Sequence, residues 1–183
     1  MKNIRALILL HPGFEEMEAI APIDLLGRAD IELTLASTTE ERLVPGRSGF
    51  AFQTAHLFAE IEPDALYDAV VFPGGPGIKA LRQQREFCEL LQKHHAAGKI
   101  LACICAAPLL LLDAKLLPER YTAHPSTLSE LPNPENKDYV WDGSILTSKG
   151  AGTATQFSLA LIEALKDESS RKEVAESICW SER

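Results

Sequence analysis

Apolar residues along this chain gather in short unbroken runs, and stretches of mixed polarity with helical spacing lie between them. Ile4 to Leu10 is one such run, stopped at Pro12-Gly13, as expected of a strand covered on both faces. After it come Glu15, Glu16 and Glu18, acidic residues suited to the positive end of a helix, with Met17, Ile20, Leu25 and Leu26 as the apolar positions. The spacing predicts a helix to about Arg28, with Pro22 as a kink or break. Ile31 to Ala36 reads as a second strand, and Pro45 to Gly49 as the turn of a small hairpin whose return arm is Phe50 to Thr54.

A third parallel strand, Ala69 to Phe72, ends at the corner Pro73-Gly74-Gly75-Pro76-Gly77, and Ile78 to His95 follows as one long helix. Ile100 to Ile104 is the next strand, with Cys105 standing where it must turn into the apolar helix Ala106 to Leu112. Arg120 to Ala123 and Ser144 to Thr147 look like short strands. Gly150-Ala151-Gly152 is a loop, Thr153 to Leu165 a helix capped at its start, and Ser169 to about Cys179 a last helix. Strands alternating with helices across glycine corners imply an α/β fold, a doubly wound and mostly parallel sheet with helices on both faces. Ligands in such folds sit beyond the carboxyl ends of the strands.

The chain has 183 residues, and at about 150 per domain this suggests a single domain over residues 1–183. Hydrophobic residues make up 46% and charged ones 24%, ordinary globular values that argue against disorder, collagen or a membrane span. Eighteen Lys and Arg against 26 Asp and Glu leave a net charge of −8, with no basic stripe. Nucleic acid is therefore not expected as a principal ligand. The run Ala6 to Leu10 is too short for a signal-peptide core. Cys88, Cys103, Cys105 and Cys179 fit no secreted disulfide framework, so thiols in a reducing, cytoplasmic setting are expected.

Cys105 is the candidate nucleophile, because a thiolate is intrinsically reactive and is favoured where a helix begins. The residues alone leave a second reading open, a small hydrophobe at a strand end. Cys103, inside the strand, fits that second reading better, and Cys-Ile-Cys lacks the second pair a structural metal site needs. Glycines at the Phe72-Pro73-Gly74-Gly75 corner allow backbone N–H groups to face a pocket, so Gly75 together with Ala106 is a candidate oxyanion holder. His124, held extended by Pro125, is a candidate base. His56, His94 and His95 are expected to face solvent, and His11, ending the first strand, is placed to reach the pocket or to serve structure. Glu18, if it points inward, would favour its protonated form beside the sulfur.

Six landmarks in order resemble the ThiJ/PfpI superfamily in its DJ-one-like branch. They are Gly13-Phe14-Glu15-Glu16-Met17-Glu18, Pro22-Ile23-Asp24, Phe72-Pro73-Gly74-Gly75, Ala102-Cys103-Ile104-Cys105-Ala106-Ala107-Pro108, Ala123-His124-Pro125 and Leu146-Thr147-Ser148-Lys149-Gly150-Ala151-Gly152-Thr153. The resemblance implies a flavodoxin-like three-layer sandwich, a homodimer, and an easily oxidised cysteine, here Cys105, contacted by Glu18 and neighboured by His124. It also implies an activity on small dicarbonyls without cofactor or metal: methylglyoxal converted to lactate, or its early adducts removed. A non-enzymatic redox sensor or chaperone operated by Cys105 oxidation is the rival expectation, and a cysteine protease or amidase a third. The branch often carries a Ser-Arg pair in the hairpin where this chain has Arg47-Ser48, so Arg47 is not carried over as a pocket residue, whereas Asp24 and Arg28 match. Cys103 stands where alanine is common, and the pattern does not dictate His11.

Overall fold

The computed structural model describes residues 3–181. Its centre is a sheet in the order β5-β2-β1-β6-β7-β9-β8, made of β1 (Arg5–Leu10), β2 (Glu32–Ser37), β5 (His56–Leu57), β6 (Ala69–Phe72), β7 (Ile100–Ile104), β8 (Tyr139–Asp142) and β9 (Ile145–Ser148). All neighbours run parallel except β8, which is antiparallel to β9. Strands β6 and β9 are buried along their whole length, as expected of strands with helices on both sides. On one face lie α1 (Glu16–Arg28), α5 (Ala154–Leu165) and α6 (Glu168–Ser177), closing a core around Leu26, Phe157 and Val174. On the other lie α2 (Ile78–Leu81), α3 (Arg85–Ala96) and α4 (Pro108–Asp113), around Phe87, Leu91 and Leu110. The fold is the flavodoxin-like three-layer α/β sandwich.

β7 shows how the layers are filled. Leu101 and Cys103 face the second core, Ala102 and Ile104 the first, with the period of two that a strand imposes. The hairpin of β3 (Leu43–Pro45) and β4 (Ala51–Gln53) stands outside the sheet. It is anchored to the body by the edge-to-face pair Phe14–Phe52 at 6.0 Å and by Glu16, which accepts from the Ser48 N–H at 2.7 Å.

Four expectations need correction. Ile78 to His95 is two helices, because Ile78 and Leu81 bury one stripe and Phe87, Leu90 and Leu91 another. At about 100° per residue, an unbroken helix would carry Phe87 roughly 240° away from Leu81. The chain resets its phase at Arg82 to Gln84, where Arg82 clamps Asp113 through bonds of 2.6 and 2.8 Å. Arg120 to Ala123 is not a strand: its amides go to side chains, Arg120 N–H to Asp142 and Thr122 N–H to Thr147, both at 3.0 Å. The strand beside β9 at this edge is β8, joined to it across Gly143 at φ +57. Pro22 does not end α1. Thr153 does not cap α5 with its side chain, which bonds Gly150 and Ser148 instead.

Candidate active site

The sheet order reverses between β1 and β6, and ligands in such sheets bind at the carboxyl ends of the strands at this switch point. Three chain turns meet there. The first leaves β1 and enters α1, where Glu15 caps the helix by accepting the Glu18 N–H at 3.0 Å. One turn of helix then sends successive side chains in different directions, so that Met17 is exposed while Glu18 is 1% exposed.

The second turn follows β6. The Gly74 N–H donates to Glu18 Oε2 at 2.8 Å, and the Gly74 carbonyl accepts from Glu15 N–H at 3.0 Å. A Cβ on Gly74 would lie 2.7 Å from the Cys105 Cβ and 2.8 Å from Glu18 Oε2, so only glycine fits. Gly75 takes φ +106, which aims its N–H at the Cys105 sulfur.

The third turn is at Cys105 itself, whose φ of +66 is a left-handed conformation costing about 1–2 kcal/mol in a non-glycine residue. It is held by neighbours on both sides: the Cys105 N–H donates to Ser148 O at 2.8 Å and its carbonyl accepts from His124 N–H at 2.9 Å. The sulfur meets the N–H groups of Gly75 and Ala106 and hydrogen-bonds the Glu18 carboxyl group.

Burial pushes Glu18 up to about 7, against the bonds from Cys105 and Gly74 and the field of Arg47, which favour the carboxylate. Burial, and then the charge and hydrogen bond of Glu18, push the Cys105 thiol up to about 12, against the Gly75 and Ala106 amides. The expected lowering at a helix start is thus outweighed, since α4 is only six residues long and the sulfur is largely covered. Below about 7 both groups are protonated, and above it the pair keeps one proton between carboxyl and sulfur, as a thiol facing carboxylate or an acid facing thiolate.

Cys105, Glu18, Gly75 and Ala106 therefore meet. His124 joins them only through its backbone: its ring is exposed, and Nδ1 bonds Ser126 Oγ at 2.8 Å. His11 is 1% exposed and lies behind the corner rather than in the pocket, with Nε2 3.1 Å from Pro73 O. Arg47, set aside on sequence, is near enough for its charge to act on Glu18. Cys103 is fully buried in the opposite layer, where burial alone raises its thiol. His94, expected at the surface, is fully buried, its ring bonding Leu90 O at 2.9 Å and the Tyr67 N–H at 3.2 Å. Gly74 was the missed member, although two adjacent glycines at a strand end signal that both amides face something. Among the described residues no cluster of His, Cys, Asp and Glu is arranged to hold a metal ion. A separate cavity of about 630 Å³, between Thr38, Phe58 and α3, shares no residue with this constellation.

Residues 4–164 match the DJ-1/PfpI family, which spans both turns that carry Cys105 and Glu18. The chain belongs to the DJ-1/PfpI family. It is 34% identical to the Drosophila melanogaster protein dj-1beta over 179 residues, covering 94% of this chain and 95% of that one. The crystal structure of Drosophila melanogaster DJ-1beta superposes with a TM-score of 0.93 over 99% of this chain and all of that one, at 32% identity. A Caenorhabditis elegans member named glutathione-independent glyoxalase DJR-1.2 is 29% identical over 187 residues, 95% of each chain. Oxidised Toxoplasma gondii DJ-1 superposes with a TM-score of 0.91 over 98% of this chain and all of that one, at 29% identity.

Proposed function

We propose that this DJ-1/PfpI protein is a cysteine-dependent glyoxalase that converts methylglyoxal to lactate or removes early methylglyoxal adducts, in a setting of carbonyl and oxidative stress. The observation that carries this reading is the contact of one sulfur with one titrating carboxyl group and two backbone amides. The Cys105 thiolate attacks the aldehyde carbon while the proton is on Glu18, and the oxyanion of the hemithioacetal, pointing at the Gly75 and Ala106 N–H groups, then takes that proton and leaves Glu18 a carboxylate. The proton on the former aldehyde carbon then passes through Glu18 to the ketone carbon by way of an enediol, leaving a lactoyl thioester. Water hydrolyses it, releasing lactate and the thiol. A carboxyl near 7 suits both directions of transfer, and His124 is assigned at most an assisting part from the rim.

The name of the nematode relative supports the same chemistry. A redox-sensing role for Cys105 is the second reading, favoured by the Glu18 contact, which can donate to an oxidised sulfur, and by the oxidised Toxoplasma gondii structure. A protease is not favoured, because the His124 ring bonds Ser126 and makes no hydrogen bond to Cys105. The protein is read as a homodimer. Met17 and Phe50 are 59% and 71% exposed, and an apolar depression of about 360 Å³ between Met17, Ile20 and Ala154 lies ready for a second copy. No described helix is long and apolar enough to cross a membrane. The thiols, none paired among the described residues, fit a reducing compartment such as the cytoplasm.

The test is to mix reduced protein with methylglyoxal and follow D- and L-lactate, with Cys105→Ala and Cys103→Ala alongside. Lactate lost only in Cys105→Ala supports the enzyme. No turnover by fully reduced wild-type protein refutes it and leaves the redox reading.

A further inference from the structure

His11 ends β1, is 1% exposed, and has no part in the mechanism above. Its two ring nitrogens face two backbone carbonyls, Nε2 to Pro73 O at 3.1 Å and Nδ1 to Pro12 O at 3.3 Å. A neutral imidazole has one N–H, and the shorter, fully buried contact is the one to Pro73. The carbonyl of Pro73 and the N–H of Gly74 belong to one peptide unit, which is planar, so fixing its oxygen fixes the direction of its N–H. That N–H donates to Glu18 Oε2 at 2.8 Å, and Glu18 in turn hydrogen-bonds the Cys105 sulfur.

We propose that His11 is a positioning residue: its Nε2–H holds the Pro73 carbonyl so that the Gly74 N–H stays on the Glu18 carboxylate, which sets the proton shared by Glu18 and Cys105. A bond accepted by the peptide oxygen also polarises its N–H, strengthening the second bond in the chain. Removing the ring donor leaves a buried carbonyl without a partner and a peptide free to tilt. Glu18 then loses support for its charged form. The other charges acting on Glu18 are Glu15, at the cap of α1, and Arg47, in the β3–β4 loop, and both remain in place. Burial favours the neutral ring assumed here. The inference rests on the Cys105–Glu18 contact of the proposed function and not on the identity of the substrate.

The test reads Cys105 directly, as the rate of alkylation by iodoacetamide at that residue followed by mass spectrometry from pH 5 to 9, whether or not lactate is formed. His11→Leu is expected to move the midpoint up by about one unit, which is about a tenfold slower rate below the midpoint. His11→Gln, which restores an N–H donor, recovers most of the shift. In a Glu18→Gln background His11→Leu adds nothing, because the residue acts through Glu18. An unchanged midpoint in folded His11→Leu, or an equal change without Glu18, overturns the proposal. Should His11→Leu not fold, nitrogen-15 spectra of the wild-type ring decide: a proton on Nε2 supports it, and a proton on Nδ1 alone overturns it.

Discussion

Gly74→Ala tests the crowding at the site most directly. The added Cβ would stand 2.7 Å from the Cys105 Cβ, 2.8 Å from the Ala106 nitrogen and 2.8 Å from Glu18 Oε2. Each approach is about 0.6–0.7 Å short of ordinary contact. Two of these neighbours are anchored: Ala106 follows a residue whose N–H and C=O are both bonded, and Glu18 is held from the helix side and by the Gly74 amide. Overpacking of this kind costs about 1–3 kcal/mol. In a chain of this length that is a fall in Tm of about 2–12 °C. The chemistry should suffer more, since a displacement approaching 1 Å at reacting groups costs about 10²-fold in rate. The assay pairs a thermal melt with the rates of Cys105 alkylation and of methylglyoxal turnover. Gly152→Ala is the control, because a Cβ there meets nothing within 4 Å and the backbone is not left-handed. If Gly74→Ala melts and reacts like Gly152→Ala, the sulfur, the amide and the carboxylate are not gathered around residue 74, and the account of the site fails.

Glu18→Gln removes the group held near 7, so the rise of Cys105 alkylation through neutral pH expected of the wild type should vanish; an unaltered profile would mean that another group controls the sulfur. Burial holds His94 and His11 below their ordinary value of 6.5, so the unfolded chain takes up protons first as pH falls. Stability is therefore full above about 6.5 and declines below it, and melts from pH 8 to 5 should show a slope that His94→Gln reduces. Met17→Lys places a charge in the apolar depression beside α1 and should convert a dimer to monomers in sedimentation experiments; an unmoved sedimentation coefficient would locate the subunit contact elsewhere.

The parts of the fold legible in the sequence are those written by single-segment physics. β1, β6 and β7 are apolar runs that no solvent-facing segment would tolerate, and the glycines after β6 and the cysteine after β7 mark turns that need unusual backbone. By position alone Glu18 was one of three carboxylates, because the choice among Glu15, Glu16 and Glu18 depends on which way α1 is rotated against the sheet, and it was the family resemblance that singled it out. What escaped needs partners distant in sequence. Arg120 to Ala123 has strand composition, yet its amides meet the side chains of Asp142 and Thr147, 22 and 25 residues away. His94 lies in a polar helix end, and only the Tyr67 amide, 27 residues earlier, explains why it is buried. The two signals present but unused were the shift in apolar phase after Leu81 and the turn at Gly143 between two β-rich segments.

The left-handed turn at Cys105 has a redox consequence. In β7 the side chains alternate between layers, and by that alternation residue 105 would have joined Cys103 in the second core; instead it sits in the first. Had the strand run on, two thiols two residues apart would point the same way, and a sulfenic acid formed on one could condense with the other to a disulfide, releasing water. The turn withdraws Cys103 behind the sheet and leaves Cys105 without a resolving thiol in its own strand. Under the redox reading its sulfenic acid, with no partner thiol beside it in β7, is repaired by a thiol from elsewhere or advances to the sulfinate, so the backbone turn that presents the sulfur also bears on how damage to it ends.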